Sequence, residues 1–347
     1  MHHDSLVFRT LRAFLSGFAL LFGVFVAIGL GLFLIGAMNK PDLIPQPSSV
    51  KIAQDAHGSR DLLPDSAPVI LRIDLHGVIG DTYLTSTDIE NVLLDSQIVP
   101  MANGRVKGIL LNINTPGGTT TDTAAIYTLL EQYKVKYNVP VYAFVDGLCA
   151  SGGMYIASAC DKILASPWSV IGSVGVLSQP YFNVSKAMED FGIKAIVLNA
   201  GKDKDALSPF RPWGPDESHN LLAVMNALYD QFVYVVTKSR PQLDRDQLIN
   251  KYGAHVFIAQ TAMEYGYIDS ASATYGDALQ NLALAAGLDP NAPYQVLQLS
   301  PPHNPFLDLI RDKSALFDGK ITHRIQLHPL IPDALCDRPL YLYLPNH

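Results

Sequence analysis

The stretch Val139-Pro140-Val141-Tyr142-Ala143-Phe144-Val145-Asp146-Gly147-Leu148-Cys149-Ala150-Ser151-Gly152-Gly153-Met154 decides the fold. Residues 139–145 form an apolar run of strand length, and Asp146-Gly147 supplies a turn. Ser151 then opens a helix. A covered strand that feeds straight into a helix is the unit from which parallel sheets are built. The same alternation extends on both sides. Residues 69–75, 106–113, 163–165 and 193–198 read as further strands. Residues 121–136 read as a helix, with Ile126, Leu129, Leu130, Tyr133 and Tyr137 at helical spacing. Pro215, Asp216 and Glu217 start a long helix that carries Leu221, Met225, Leu228, Phe232 and Val235 on one face. Residues 264–269 suit a helix end running into a short strand, and 275–286 a final helix. The expectation is an α/β fold with a mostly parallel sheet and right-handed crossovers.

Composition narrows the function. The chain has 347 residues, with 32 acidic against 25 basic and a formal charge of −7. That balance argues against a nucleic-acid partner, which calls for a basic stripe. Cys149, Cys160 and Cys336 form no CxxC pair, so neither a zinc site nor a disulfide framework is indicated. A Cys149–Cys160 bridge fits the spacing, but the flanking pattern reads as buried core. No metal or cofactor is expected.

Between residues 13 and 38 no charged residue occurs. The run exceeds the roughly 20 residues that span a bilayer, and it is longer than the apolar region of a cleaved signal peptide. Arg9 and Arg12 precede it, while Lys40 and Asp42 after it roughly cancel. The positive-inside bias therefore puts residues 1–12 in the cytoplasm and everything beyond the anchor outside. Residues 39–66 are rich in Pro, Ser and Asp and read as a linker. The expected catalytic domain covers 67–290. Residues 291–347 are left as an extension of unknown role.

Three strings carry chemistry. Ser151 sits where a helix N-terminus favours developing negative charge, with the N–H of Gly152 beside it; the plain alternative is a helix N-cap. Gly117-Gly118, after the strand ending near Asn114, can turn a backbone N–H outward as a second oxyanion donor, or can simply make a tight turn. A serine needs a base, and Lys202 and Lys204 are both at hand. Asp203 and Asp205 would hold a lysine charged, so they must point away from a lysine base. Ser173, in Gly172-Ser173-Val174-Gly175, could orient the lysine, or be a turn residue. His76, His219 and His255 sit in no recognisable triad context.

At Asn114-Thr115-Pro116-Gly117-Gly118, Ala150-Ser151-Gly152-Gly153-Met154-Tyr155-Ile156-Ala157 and Lys204-Asp205-Ala206-Leu207-Ser208-Pro209-Phe210-Arg211 the chain resembles the signal peptide peptidase A (protease IV) family. These are membrane-anchored serine–lysine peptidases. The resemblance covers roughly residues 67–290. It implies Ser151 as nucleophile, Lys204 rather than Lys202 as general base, Ser173 as the lysine's partner, and Gly118 and Gly152 as oxyanion donors. It implies a crotonase/Clp-protease-like fold of repeated ββα units, preceded by one transmembrane helix, in a bacterial cytoplasmic membrane. It implies signal-peptide remnants and unfolded chains as substrates. With one copy of the catalytic unit, the chain is similar to the short members, which form homo-oligomers whose serine and lysine come from neighbouring subunits. Two other readings stand beside this one: a catalytically silent, anchored peptide-binding scaffold, and a crotonase-type acyl-CoA enzyme. The threonine-rich start of the helix after Gly118 and the tail past 290 depart from the family pattern.

Overall fold

Residues 6–38, 48–81, 84–98, 100–289, 292–300 and 340–342 are described by the computed structural model. Leu6–Met38 form one helix, α1. Its segment Phe14–Gly31 has a mean hydropathy of 2.2, long and apolar enough to cross a membrane. Residues Met1–Pro47 and Ser48–His347 are separate compact units.

The second unit is built on an eight-stranded sheet. Its strands are β1 (Ser49–Ile52), β2 (Val69–His76), β3 (Val106–Thr115), β5 (Val141–Ala150), β6 (Lys162–Ala165), β7 (Val170–Gly172), β8 (Val256–Ile258) and β9 (Gln295–Ser300). A short strand, β4 (Gly117–Thr119), lies outside it and pairs with β10 (Leu340–Leu342). The helices are α2 (Ser86–Asp95), α3 (Thr120–Tyr137), α4 (Gly152–Ala157), α5 (Ser185–Asp190), α6 (His219–Ser239), α7 (Arg245–Gln247), α8 (Ala259–Glu264) and α9 (Tyr275–Ala285). A π-helical turn, Leu248–Tyr252, follows α7.

The sheet runs β1-β9-β2-β3-β5-β7-β8, with β6 also on β5. Pairs β2–β3, β2–β9, β3–β5, β5–β6 and β5–β7 are parallel, while β1–β9 and β7–β8 are antiparallel. The fold is therefore α/β with a mixed sheet. β2 and β3 are almost wholly buried because helices cover both faces. One face packs under α2, α3, α4 and α6. The other packs mainly under α9, where Leu282 lies against Gly108 of β3.

Three expectations need correction. Residues 193–198 form no strand; they are exposed and have no sheet edge to join. The boundaries at 67 and 290 cut off two strands of the sheet, since β1 and β9 lie in the expected linker and extension and β9 pairs with β2. The short strand expected within 264–269 is reduced to one parallel bridge, Leu164 to Ser270.

Cys149 and Cys160 are buried free thiols, and burial pushes Cys149 up to about 12, which keeps it protonated and inert. Cys336 lies outside the described residues. Arg240, 3% exposed, donates through Nη2 to Asp269 Oδ1 at 2.7 Å. Asp269 Oδ2 accepts from the Ile163 N–H, tying α6 to the sheet. Removing the carboxylate strands a buried guanidinium. Asp269→Ala is thus expected to cost about 3 kcal/mol, read as a lowered denaturation midpoint.

Candidate active site

Ser151, Gly152, Ser173 and Gly118 sit on neighbouring strand ends. Ala150 of β5 pairs with Gly172 of β7, so Ser151 and Ser173 follow one another across the sheet edge. The Ser151 N–H donates to the Gly172 carbonyl at 2.9 Å. On the other side of β5, Cys149 pairs with Thr115, the residue from which the chain passes into β4.

Ser151 adopts φ 52° and ψ −116°, outside the regions that side-chain-bearing residues favour. Such a backbone costs about 1–3 kcal/mol and persists only when its surroundings impose it. Here they do. β5 holds the residue before Ser151, and the wholly buried α4 holds the residues after it. Tyr155 of α4 is fixed between Phe232, at 5.2 Å between ring centres, and Tyr127, edge-on at 5.4 Å. Ser151 is 1% exposed, yet its Oγ has no hydrogen-bond partner and does not cap the helix. The N-cap reading of this serine therefore does not describe its side chain. A buried hydroxyl is normally paired, and one that is not marks a position kept for something else.

Two glycines stand where a side chain would collide with a neighbour. A Cβ on Gly153 would lie 2.7 Å from the Thr115 methyl carbon. A Cβ on Gly118 would lie 1.8 Å from the Ile79 carbonyl oxygen. Gly118 forms a parallel bridge with Ile79: the Ile79 N–H donates to the Gly117 carbonyl at 2.8 Å, and the Thr119 N–H to the Ile79 carbonyl at 2.9 Å. Strand alternation then turns the Gly118 N–H and carbonyl to the opposite edge of β4. Thr115 Oγ1 accepts from the Gly117 N–H and donates to the Gly77 carbonyl, which fixes the turn between β3 and β4. Asn114 Oδ1 accepts from the Leu148 N–H at 3.1 Å, so the Asn114-Thr115-Pro116-Gly117-Gly118 string also shapes the approach to Ser151. The threonine-rich stretch has a structural use: Thr119 caps α3 and donates to Asp122 Oδ2 at 2.6 Å, while Thr120 and Thr123 are buried.

Lys204 is not brought to Ser151. It lies exposed on a loop, and Ser151 Oγ has no partner. Asp205, however, does point away from Lys204. Arg211 Nε donates to Asp205 Oδ2 at 2.8 Å, and Arg211 Nη2 donates to Glu217. Glu217 also accepts from the Leu207 N–H at 2.8 Å and the Gly214 N–H at 3.1 Å. These bonds, Arg211 first, pull Glu217 down to about 2, and the Arg211 bond holds Asp205 below its usual range. The sign follows from those depressed values. The clamp is fully formed above the usual glutamate value near 4.5 and is lost as pH falls through about 2. Faster amide exchange at Leu207 over that interval is the expected result. Sequence reading found Arg211 as part of a motif but not its role as the anchor of this loop, because Glu217 lies outside the motif. His76 Nε2 sits 3.0 Å from Asn112 Nδ2, and no histidine contacts Ser151 Oγ. Lys202 is exposed on the same loop.

Residues 133–289 match the model of peptidase family S49. A putative protease of Synechocystis sp. is 36% identical over 53% of this chain and 64% of its own length. A putative signal peptide peptidase SppA of Enterococcus faecium is 29% identical over 58% of this chain and 59% of its own. The chain thus spans about three-fifths of the curated relatives it matches. A mutant of the 1510-N membrane-bound stomatin-specific protease aligns over 68% of this chain and 100% of its own at 15% identity, with a TM-score of 0.41, too low to bear on the fold. The match to the peptidase family S49 model runs from the end of α3 through Ser151, Ser173 and Lys204 to α9.

Proposed function

We propose that the chain is a membrane-anchored serine endopeptidase that cuts signal-peptide remnants and other short or unfolded polypeptides with a Ser151–Lys204 dyad. The observation that carries this reading is Ser151 itself: strained, buried and unpartnered at the head of α4. Ser151 Oγ attacks the scissile carbonyl. The Gly118 N–H and the Gly152 N–H, the latter a free donor at the start of α4, receive the oxyanion. Lys204 takes the serine proton and returns it to the leaving amine. Ser173 orients the lysine. To act as a base the lysine must be neutral, and burial away from water favours its neutral form.

That burial is supplied by a second copy of the chain. The excursion carrying Lys204 exposes large apolar side chains, among them Phe191 at 82%, Ile196 at 86% and Leu198 at 92%, and α5 has no buried residue. A surface of this kind on a water-soluble unit marks a docking face. Docking would carry Lys204 of one copy to Ser151 of another and dehydrate both. The fold reading at this level is the crotonase/Clp-protease-like one, supported by the succession β3–β4–α3, a ββα unit. α1 is the anchor, with residues 1–12 cytoplasmic and the second unit outside.

The test is cleavage of an unfolded polypeptide by the full chain in detergent. Lys202→Ala is expected to keep the wild-type rate and Lys204→Ala to lose it. Full activity in Lys204→Ala would sink the dyad assignment.

A further inference from the structure

We infer that Thr115 is a positioning residue for the proposed reaction: one buried side chain sets the spacing of the two oxyanion donors, its hydroxyl holding the Gly118 side and its methyl the Gly152 side. The inference rests on the reading of those two N–H groups as the oxyanion donors.

Thr115 ends β3 and is fully buried. Its hydroxyl is used twice. Oγ1 donates to the Gly77 carbonyl and accepts from the Gly117 N–H at 3.1 Å. Gly117 has φ 101°, a conformation that residues with a side chain rarely adopt, and it immediately precedes Gly118. The bond on Gly117 therefore fixes the direction in which the Gly118 N–H leaves the chain. The bond to Gly77 ties the same hydroxyl to the segment that ends in Ile79, on which β4 rests through the Gly117 carbonyl and the Thr119 N–H. The methyl meets α4 instead. It lies 2.7 Å from where a Cβ on Gly153 would stand, so it packs on the α4 backbone one residue past Gly152. The Thr115 backbone also pairs with Cys149, two residues before Ser151. The two donors thus come from separate stretches of chain, and this side chain touches both stretches. Oxyanion stabilisation needs donors held in place before the charge forms, and a displacement of about 1 Å can cost about a hundredfold in rate.

Two substitutions divide the side chain. Thr115→Val keeps the shape and the methyl but leaves the Gly117 N–H and the Gly77 carbonyl without their partner. Thr115→Ser keeps the hydroxyl and removes the methyl. The full chain in detergent is assayed for kcat and KM on an unfolded polypeptide. The probes are a peptide aldehyde ending at a cleavage site in that polypeptide and the alcohol of the same sequence. With the aldehyde, Ser151 Oγ bonds to the carbonyl carbon, the C=O π bond opens, and the serine proton ends on the former carbonyl oxygen, which takes the oxyanion position. The alcohol cannot react. kcat should fall about a hundredfold in Thr115→Val and about tenfold in Thr115→Ser, with KM within about threefold of wild type. Affinity for the aldehyde should fall by the same factors while that for the alcohol does not move. A merely structural role would weaken aldehyde and alcohol alike, and that result, or wild-type kcat in both variants, overturns the inference. Should Thr115→Val not fold, Thr115→Ser decides by the same comparison. A wild-type chain that neither cleaves nor takes the aldehyde removes the peptidase reading and this inference with it. A wild-type chain that does both, beside variants that equal it, removes the inference alone.

Discussion

Ser151→Ala in the full chain is expected to reduce cleavage of an unfolded polypeptide by a factor on the order of 10⁴ to 10⁶, the range seen when a nucleophile is removed from a working set. Lys204→Ala should cost about as much, and the double variant scarcely more, because nucleophile and base act as one unit. The two dead variants allow a sharper result. Lys204 lies exposed on its loop and Ser151 Oγ has no partner in its own chain. If neighbouring copies join them head to tail, random mixing of the two variants places an intact serine beside an intact lysine at about one site in four. Mixed samples should then recover about a quarter of the wild-type rate. No recovery after mixing verified by mass measurement would mean that serine and lysine meet within one chain, by a rearrangement of the loop around Arg211. Both variants should keep the wild-type denaturation midpoint, or a higher one for Ser151→Ala, since the strained, unpaired serine stabilises nothing.

Gly118→Ala is the second large effect, and it should appear in stability as well as rate. The added carbon would fall 1.8 Å from the Ile79 carbonyl oxygen, which is held by its bond from the Thr119 N–H. Backbone cannot yield as a side-chain tip can, so β4 must leave Ile79. The expected cost is about 3 kcal/mol or more, in the range of severe overpacking. Cleavage should vanish with it, because the Gly118 N–H loses its position. Gly153→Ala is the graded comparison: its nearest neighbour is the Thr115 methyl, a side-chain atom with some freedom to shift. A Gly118→Ala chain with a wild-type midpoint would show that β4 does not rest on Ile79.

Local pattern revealed the elements whose burial is imposed by neighbours in sequence. The runs around 69–75, 106–113 and 139–145 are strands in the structure, with ends displaced by a few residues, and the 121–136 and 275–286 periodicities are helices. The apolar stretch at 193–198 has the composition of a strand but no partner, and so remains irregular. β1 was illegible for the converse reason. Ser49–Ile52 is largely exposed and carries no alternation, and it is a strand only because β9, far along the chain, lies beside it.

The sequence by itself determined the chemistry on offer: a serine between a strand and a helix, glycines able to bare an N–H, an aspartate-flanked lysine, and a membrane-length apolar helix. These are properties of composition and short spacing. Tertiary structure decided which groups are available. It strained Ser151 and denied its hydroxyl a partner, turned Asp205 from Lys204 to Arg211, and left Lys204 in solvent. It also set Leu340–Leu342 against the glycine strand. Each of these depends on contacts between residues distant in sequence, where the loop-closure entropy of folding, rather than local preference, is overcome by packing and hydrogen bonds.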